Sequence, residues 1–367
     1  MVDTHKTSID SSVTAYVGAY IISEGMASGG AVRYSSDYGQ NITADFIGNF
    51  VSGEKGIGGA IFNYATSKIG CLTGDFIGNY LLTVGGDTFG GAIINDGEIN
   101  DIIGNFIGNY AVTSGSNAYG GAICTGFMDP GTINNITGDF IGNYVSGGHM
   151  NKGGAICIRF GAIGNITGNF IGNYALGYDA SGGAIYNGGT ISNITGDFIG
   201  NYVSDGNGGG AIFNRGTIGC ITGDFIGNYA SDSSSAYGGA IYNQGGTISI
   251  LAGDRDVLFS DNRVSASNST LARGGAIYND MKMNLYAAAG HSITFAGDVG
   301  DANTDSIYNV GILNINDTKN NYTGTVNLAK VEGSSNYGTM NINGGTVEAK
   351  GNITQNTVNL AAVTSSP

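Results

Sequence analysis

The strongest constraint on the fold of this chain is an internal repeat of about thirty residues. The sequence Phe-Ile-Gly-Asn occurs seven times, and degenerate copies begin at Tyr16 and Phe259. A second motif, Gly-Gly-Ala followed by Ile or Val, alternates strictly with the first. It begins at Gly29, Gly58, Gly90, Gly120, Gly153, Gly182, Gly209, Gly238 and Gly274. One unit is therefore repeated nine times.

Each unit has the composition of short strands joined by turns. The copy that begins at Gly182 contains three runs rich in Ile, Thr and aromatic residues, separated by Gly, Asn, Asp and Ser. Such runs are typical of strands, and none has the length or periodicity of an amphipathic helix. We therefore predict an all-β fold, a single-stranded right-handed parallel β-helix of about nine coils of ~30 residues with shorter C-terminal coils.

In a parallel β-helix, equivalent residues of successive coils stack about 4.8 Å apart. We expect the aromatic residues of the first motif to form one core column: Phe46, Phe76, Phe106, Phe140, Phe170, Phe198, Phe225 and Phe259. A second column of amides is expected after the Gly-Gly-Ala motif, where stacked Asn side chains can satisfy turn backbone groups. It comprises Asn63, Asn95, Asn187, Asn214, Asn243 and Asn279, and is interrupted by Thr125 and Ile158.

The repeat also divides the chain. Residues 16–280 form the regular β-helix, and residues 281–355 carry a decaying pattern that we interpret as further coils. Residues 1–15 are expected to be an N-terminal tail or cap, and residues 356–367 a C-terminal tail. The polar segment 1–11 lacks the apolar stretch of a signal peptide.

Composition excludes several classes of protein. Gly accounts for 67 of 367 residues but Pro for only 2, which does not fit collagen, and 41% apolar residues are enough to build a core. The net charge of −14 repels polyphosphates, so we expect no nucleic-acid partner. The longest apolar runs are too short for a transmembrane helix, so no membrane insertion by this segment is expected.

The alternation of Gly-Gly-Ala-Ile with Phe-x-x-Asn resembles the paired repeat of chlamydial-type polymorphic outer-membrane proteins, and more broadly the passenger of a bacterial autotransporter. The resemblance is close over residues 16–279 and loose over 280–355. It implies a protein on the bacterial outer-membrane surface or secreted from the cell, with an adhesive role. The matching pairs are Phe46/Asn49, Phe76/Asn79, Phe106/Asn109, Phe140/Asn143, Phe170/Asn173, Phe198/Asn201, Phe225/Asn228 and Phe259/Asn262.

Two polar rows accompany the repeat. One comprises Asp45, Asp75, Asp139, Asp197 and Asp224, with Asn105 and Asn169 in register. It is either a Ca²⁺-binding row or a row of turn residues that accept backbone hydrogen bonds, and we favour the second because stacked carboxylates repel. The other row comprises Thr43, Thr73, Thr137, Thr167, Thr195 and Thr222. We favour hydroxyl ladders over an ice-type ligand lattice for it, because it is narrow and broken at Ile103.

No arrangement typical of catalysis or of a cofactor emerges. Cys124 and Cys157 share a repeat position in adjacent coils, and we expect a stacked pair of free thiols. The three His residues are far apart, so neither a metal nor another cofactor is predicted. An enzyme that acts on polysaccharides is a minor alternative, with Asp254, Arg255 and Asp256 as its only charged cluster.

The segments between the two motifs vary in length and sequence, and we expect them to emerge as loops along one edge. Four aromatic residues in them are candidate ligand contacts: Phe89, Tyr119, Tyr178 and Tyr237. They either stack on a ligand or clamp their own loops. We predict a non-catalytic role in adhesion through a glycan or protein receptor on a host cell or other surface. The alternative is a structural stalk or filament subunit that associates end to end.

Overall fold

The computed structural model describes residues 15–267, 271–300, 306–333 and 336–361. It is a β-solenoid in which four parallel sheets run the length of the molecule, and the smallest sheet contributes one strand to each of 11 turns. The prediction of an all-β parallel β-helix is therefore confirmed. The number of turns exceeds the nine full repeats because the irregular C-terminal segments continue the same winding. A short 3₁₀ turn covers Thr318–Asn320.

The four sheets are named here by a feature of their strands. The Phe sheet consists of Ala15–Val17, Asp45–Ile47, Phe76–Ile77, Phe106–Ile107, Phe140–Ile141, Phe170–Ile171, Phe198–Ile199, Phe225–Ile226, Val257–Ser260, Ser292–Ala296, Thr325–Leu328 and Thr346–Ala349. The Thr sheet consists of Gln40–Thr43, Lys68–Thr73, Glu98–Ile103, Gly131–Thr137, Gly161–Thr167, Thr190–Thr195, Thr217–Thr222, Thr247–Ala252, Lys282–Ala287, Ile312–Ile315, Thr339–Ile342 and Thr357–Leu360.

The other two sheets flank the Gly-Gly-Ala motif. The Asn sheet follows it and consists of Val32–Tyr34, Ile61–Asn63, Ile93–Asn95, Ile123–Thr125, Ile156–Ile158, Ile185–Asn187, Ile212–Asn214, Ile241–Asn243, Ile277–Asn279, Ile307–Asn309 and Val331–Glu332. The variable sheet precedes it and consists of Tyr20–Ile22, Met26–Ser28, Phe50–Gly53, Lys55–Ile57, Tyr80–Thr83, Thr88–Phe89, Tyr110–Thr113, Ala118–Tyr119, Tyr144–Ser146, Asn151–Lys152, Tyr174–Ser181, Tyr202–Gly208, Tyr229–Asp232, Ala236–Tyr237, Arg263–Ala266, Ala272–Arg273 and Val299–Gly300.

The variable sheet corrects one expectation. The segments between the two motifs are largely strands, not loops, and each coil has four sides where the sequence indicated three. Tyr80–Thr83 pairs with Tyr110–Thr113, and Thr88–Phe89 pairs with Ala118–Tyr119. The pairing depends on the backbone of the coil above and below, which is present whatever the side chains are. Sequence variability along this edge therefore did not mean irregular backbone.

The aromatic column of the first motif fills the centre of the solenoid. Every predicted member from Phe46 to Phe259 is completely buried. The rings of Phe106 and Phe140 are parallel to within 2°, with centroids 4.8 Å apart. Tyr16 and Phe295 extend the stack at its two ends. The ring spacing equals the strand spacing of a sheet, so each ring packs between its counterparts in the coils above and below.

A buried amide ladder runs beside the rings. In Asn79, Oδ1 accepts the backbone N–H of Asn49 at 3.0 Å and its Nδ2–H at 2.8 Å. Nδ2 of Asn79 donates in turn to the carbonyl oxygen of Phe46. The same bonds recur through Asn109, Asn143, Asn173, Asn201, Asn228 and Asn262. Each rung satisfies turn groups that would otherwise be buried without partners.

The ladder ends on an acid. Oδ1 of Asp298 accepts both the backbone N–H and Nδ2–H of Asn262, as an amide would. Its Oδ2 occupies the place where Asn carries Nδ2, and this buried atom has no hydrogen-bond partner. Burial raises the pKa of Asp298 to about 7, although the two bonds from Asn262 oppose the shift. The protonated acid fits this rung better because a protonated Oδ2 can donate, as the amide does.

We predict that Asp298→Asn removes a pH dependence of stability. A folded-state pKa above the ordinary 3.8 means that the contribution of Asp298 to stability is full below pH 4 and is lost as pH rises through about 7. The Asn variant should therefore match the parent protein at pH 4 and exceed it at pH 8, by up to ~4 kcal/mol. Urea unfolding at both pH values measures this, with Asp254→Asn at an exposed position as control. Equal gains at both pH values would contradict the assignment.

The second amide column matches its prediction, including the gap. Nδ2 of Asn63 donates to Oδ1 of Asn95, and the ladder resumes from Asn187 to Asn309 after Thr125 and Ile158. At the C-terminal end, Gln355 takes the next place and accepts from Asn309. The strand Thr357–Leu360 pairs beyond it with Thr339–Ile342, inside the segment expected to be a tail. Residues 1–14 of the expected N-terminal tail lie outside the described residues.

The paired glycines of the second motif have separate roles. The first, such as Gly90, has φ of +70°, which glycine adopts without strain. The second position must be glycine because the backbones of adjacent coils approach each other closely there. A Cβ at Gly91 would lie 1.9 Å from the carbonyl oxygen of Gly121, the equivalent residue of the next coil. The chain therefore turns from the variable sheet into the Asn sheet with successive backbones in direct contact.

We predict that Gly91→Ala destabilises the solenoid by about 1–3 kcal/mol or more, because the coils must separate to admit the methyl group. Gly85→Ala is the matched control in the same coil, since a Cβ there meets no atom within 4 Å. Urea unfolding midpoints of the two variants provide the comparison. Equal midpoints would show that the close approach at Gly91 is not a constraint.

Candidate binding surface

The Gly-Gly turn makes a corner on the outside of the solenoid, where side chains from before and after the turn pack together. Residues that precede the turn, such as Phe89 and Tyr119, face outward residues of the Asn sheet across the corner. Their side chains form a cluster separate from the central core: Ile57, Phe62, Phe89, Ile94, Tyr119, Cys124, Cys157, Tyr186, Phe213 and Tyr242. Tyr64, Phe127, Tyr237 and Tyr278 pack against it and are partly exposed. We call this cluster the aromatic seam.

Six basic side chains lie over rings of the seam or of its extension at Tyr308 and Phe160. They are Arg33, Lys55, Lys152, Arg159, Arg215 and Arg273, and we call them the cation stripe. The guanidinium carbon of Arg159 is 4.8 Å from the ring centroid of Tyr119 and 5.0 Å from that of Phe89. Nζ of Lys152 is 4.6 Å from the centroid of Tyr186. The aromatic faces are thus covered by cations of the same chain.

The structure separates the four aromatic residues that were candidates either for contacting a ligand or for clamping their own loops. Phe89 and Tyr119 are 2% and 4% exposed and stack on each other at 5.0 Å, so they pack on the scaffold and do not face a ligand. Burial raises the pKa of Tyr119 accordingly. Tyr237 packs against Tyr242 and is only partly exposed. Tyr178 alone projects into solvent, at 74% exposure on the strand Tyr174–Ser181.

Sequence reasoning missed the cation stripe, although a signal for it exists. Lys152 and Arg273 directly precede a Gly-Gly-Ala motif, while Arg159 and Arg215 follow the Asn-sheet strands. In an acidic chain with few basic residues, their recurrence at two fixed repeat positions is a pattern. The sequence alone does not reveal what this pattern is for, because only the fold brings the two repeat positions together on either side of the aromatic seam.

Cys124 and Cys157 lie in the seam and pair in register in adjacent coils. Both thiols are free and buried, and burial raises the pKa of Cys124 well above its ordinary value. A high pKa keeps a thiol protonated and poorly nucleophilic. These two residues therefore act as small apolar members of the seam.

Carboxylates of the aspartate row accept hydrogen bonds from backbone N–H groups of the next coil. Oδ1 of Asp45 accepts the backbone N–H of Asp75, and Oδ1 of Asp75 accepts that of Asn105 in the next coil. Further along, Arg255 bridges the row, with Nη2 at 3.0 Å from Oδ1 of Asp197 and 2.6 Å from Oδ2 of Asp224. The row is thus held by backbone donors and by one guanidinium. Within the described residues no group of three or more His, Cys, Asp or Glu side chains is arranged to hold a metal ion.

The charged cluster considered for polysaccharide cleavage is divided between structural contacts. Arg255 forms ion pairs with Asp197 and Asp224 of the aspartate row. Oδ1 of Asp256 accepts the backbone N–H of Ser292 at 2.8 Å. The threonine row lies on the outer face of the Thr sheet, where Thr137, Thr167 and Thr195 are exposed and pair in register.

Comparison with family models, curated proteins and solved structures yields no match to this chain. The resemblance to polymorphic outer-membrane proteins therefore rests on the repeat motifs and remains a prediction. No helix among the described residues is long and apolar enough to cross a membrane.

We predict that the contact of Arg159 with Tyr119 contributes about 1 kcal/mol to stability. A double-mutant cycle with Arg159→Gln and Tyr119→Leu, followed by urea unfolding, measures this coupling. The control cycle pairs Arg159→Gln with Tyr286→Leu, whose ring stacks on Tyr322 instead and should show no coupling. Additive effects in the Tyr119 cycle would mean that the guanidinium covers the ring without stabilising it.

Proposed function

We propose that this protein is a non-catalytic adhesin, a β-solenoid carried on the bacterial outer surface that holds a binding face for a host-cell or surface receptor. The observation that supports it is the contrast between sheets. The Phe, Asn and Thr sheets repeat nearly the same inward side chains in every regular coil. In the variable sheet the first strand of each regular coil keeps a ring and a buried apolar residue, as at Tyr80–Leu81 and Tyr110–Ala111. The side chains after them and the segment lengths change from coil to coil, while the backbone pairing is kept.

The variable sheet and the turn that follows its strand Tyr80–Thr83 also carry large exposed apolar side chains. Leu82, Val84 and Tyr178 are 48%, 80% and 74% exposed. A rigid scaffold beneath such residues lowers the entropy cost of binding because the surface is already ordered. The repeat motifs that resemble those of autotransporter passengers support the same role.

We predict that the protein binds a member of a panel of cultured epithelial cells, extracellular-matrix proteins and immobilised glycans through the variable sheet. The triple variant Leu82→Ser/Val84→Ser/Tyr178→Ala should bind about tenfold more weakly, equivalent to ~1.4 kcal/mol. The control is Ile103→Thr/Ile199→Thr, which removes exposed apolar side chains from the Thr and Phe sheets. Equal losses in both variants, or no binding by the parent protein to any panel member, would contradict the proposal.

A structural stalk or filament subunit is the second candidate, favoured by the end coils. At the N-terminal end of the described chain, Val17 and Ile22 are 68% and 67% exposed, and at the C-terminal end Leu360 is 72% exposed. Terminal strands with exposed apolar side chains are able to pair with another copy. Electron microscopy with size-exclusion chromatography separates the two candidates, because long polymers support the filament and monomers support the adhesin.

A further inference from the structure

The cation stripe is unusual because its members form no ion pairs with carboxylates of the described residues. Lys68, Arg255 and Lys330 form ion pairs with carboxylates elsewhere on the molecule. In the described part of the chain, no member of the stripe lies within ion-pair distance of a carboxylate. Acidic residues outnumber basic ones by 28 to 14, so carboxylates are plentiful. None of the positive charges on the seam is therefore engaged in a direct ion pair with a carboxylate of the described residues.

The geometry leaves these cations able to bind. A guanidinium that lies over a ring uses its face, while its N–H groups point outward from the edge and can still donate. The guanidinium carbons of Arg159 and Arg273 lie 4.8 and 4.7 Å from the ring centroids of Tyr119 and Tyr308. Nη1 of Arg159 also donates to the carbonyl oxygen of Gly126, and Nε and Nη2 of Arg215 donate to Oε1 of Gln244, so the remaining N–H groups are the ones that can reach a ligand. Nearby Phe160 is 53% exposed and offers an apolar surface beside the charge.

The spacing of the charges follows the coils. Lys152, Arg215 and Arg273 belong to alternate coils, so they recur about every 10 Å along the axis. The carboxylates of Asp96 and Asp280 lie near enough to Arg159 and Arg215 to interact electrostatically without pairing. With the net charge of −14, this arrangement disfavours a ligand as densely charged as a nucleic acid.

We propose that the cation stripe and aromatic seam bind an acidic polysaccharide in which carboxylate- or sulfate-bearing sugars alternate with neutral ones. The inference rests on the proposed adhesive function and names the ligand class for one wall of the binding face. The edges of the guanidinium and ammonium groups hold the anionic groups by charge-assisted hydrogen bonds. Phe160 and the partly exposed rings of the seam contact the apolar faces of the intervening sugars.

The test uses hyaluronan and chondroitin sulfate as probes, with dextran as a neutral polymer and single-stranded DNA as a dense polyanion. The stripe variant is Lys152→Gln/Arg215→Gln/Arg273→Gln. The control variant, Lys282→Gln/Lys319→Gln/Lys350→Gln, removes the same charge from exposed positions outside the stripe. Binding is measured by biolayer interferometry at two salt concentrations, and urea unfolding verifies that both variants are folded.

We expect the parent protein to bind at least one acidic polysaccharide, more weakly at high salt, and not to bind dextran. The stripe variant should lose tenfold or more in affinity and the control variant less than twofold. Arg215→Lys/Arg273→Lys keeps the charge and should retain most of the binding, which covers the case in which the triple variant does not fold.

Four results would overturn the proposal. Equal losses in the stripe and control variants would indicate a general charge effect, and DNA binding as tight as glycan binding would indicate a non-selective polyanion surface. Absence of binding to either acidic polysaccharide, together with cell binding that survives in the stripe variant, would reject the stripe while leaving the adhesive function intact. If the parent protein binds neither the polysaccharides nor the cell and matrix panel, both proposals fail.

Discussion

The structure depends on identical groups stacking at the spacing of adjacent β-strands. Rings such as Phe106 and Phe140 repeat at 4.8 Å, and amides such as Asn109 and Asn143 bond from one coil to the next. The rings exclude water from the centre, and the amides satisfy the buried turn backbone that a dry centre would leave unpaired. Neither column works alone, because an apolar core needs its turns satisfied and a buried amide needs hydrogen-bond partners in the adjacent coils.

The same dependence explains what the sequence could predict. A residue type that recurs at a constant period stacks on itself, so the Phe column, the amide column and its gap at Thr125 and Ile158 follow from counting positions. The strands of the variable sheet could not be predicted in this way, because their pairing uses backbone groups that no side-chain pattern reports. The burial of Phe89 and Tyr119 did not either, since it depends on the fold-back at the Gly-Gly turn.

The candidate binding surface could not be predicted from the sequence either, because it depends on contacts between coils. Arg159 and Tyr119 belong to successive coils, and only the fold at the Gly-Gly turn places a guanidinium over that ring. Single residues in the variable segments indicated aromatic ligand contacts, whereas the surface has rings beneath and cations above. The chemistry available to a ligand therefore changes from stacking to charge-assisted hydrogen bonding with limited apolar contact.

The register between adjacent coils determines how the length of the solenoid can change. Successive coils such as those of Phe76 and Phe106 are joined in full register, and the strands Phe76–Ile77 and Phe106–Ile107 pair identical residues. Duplication or loss of one gene segment that encodes a unit would leave the backbone pairing and the ring column intact. The length of the solenoid is then an evolutionary variable that changes in whole steps of one coil, independent of the chemistry displayed on its sides.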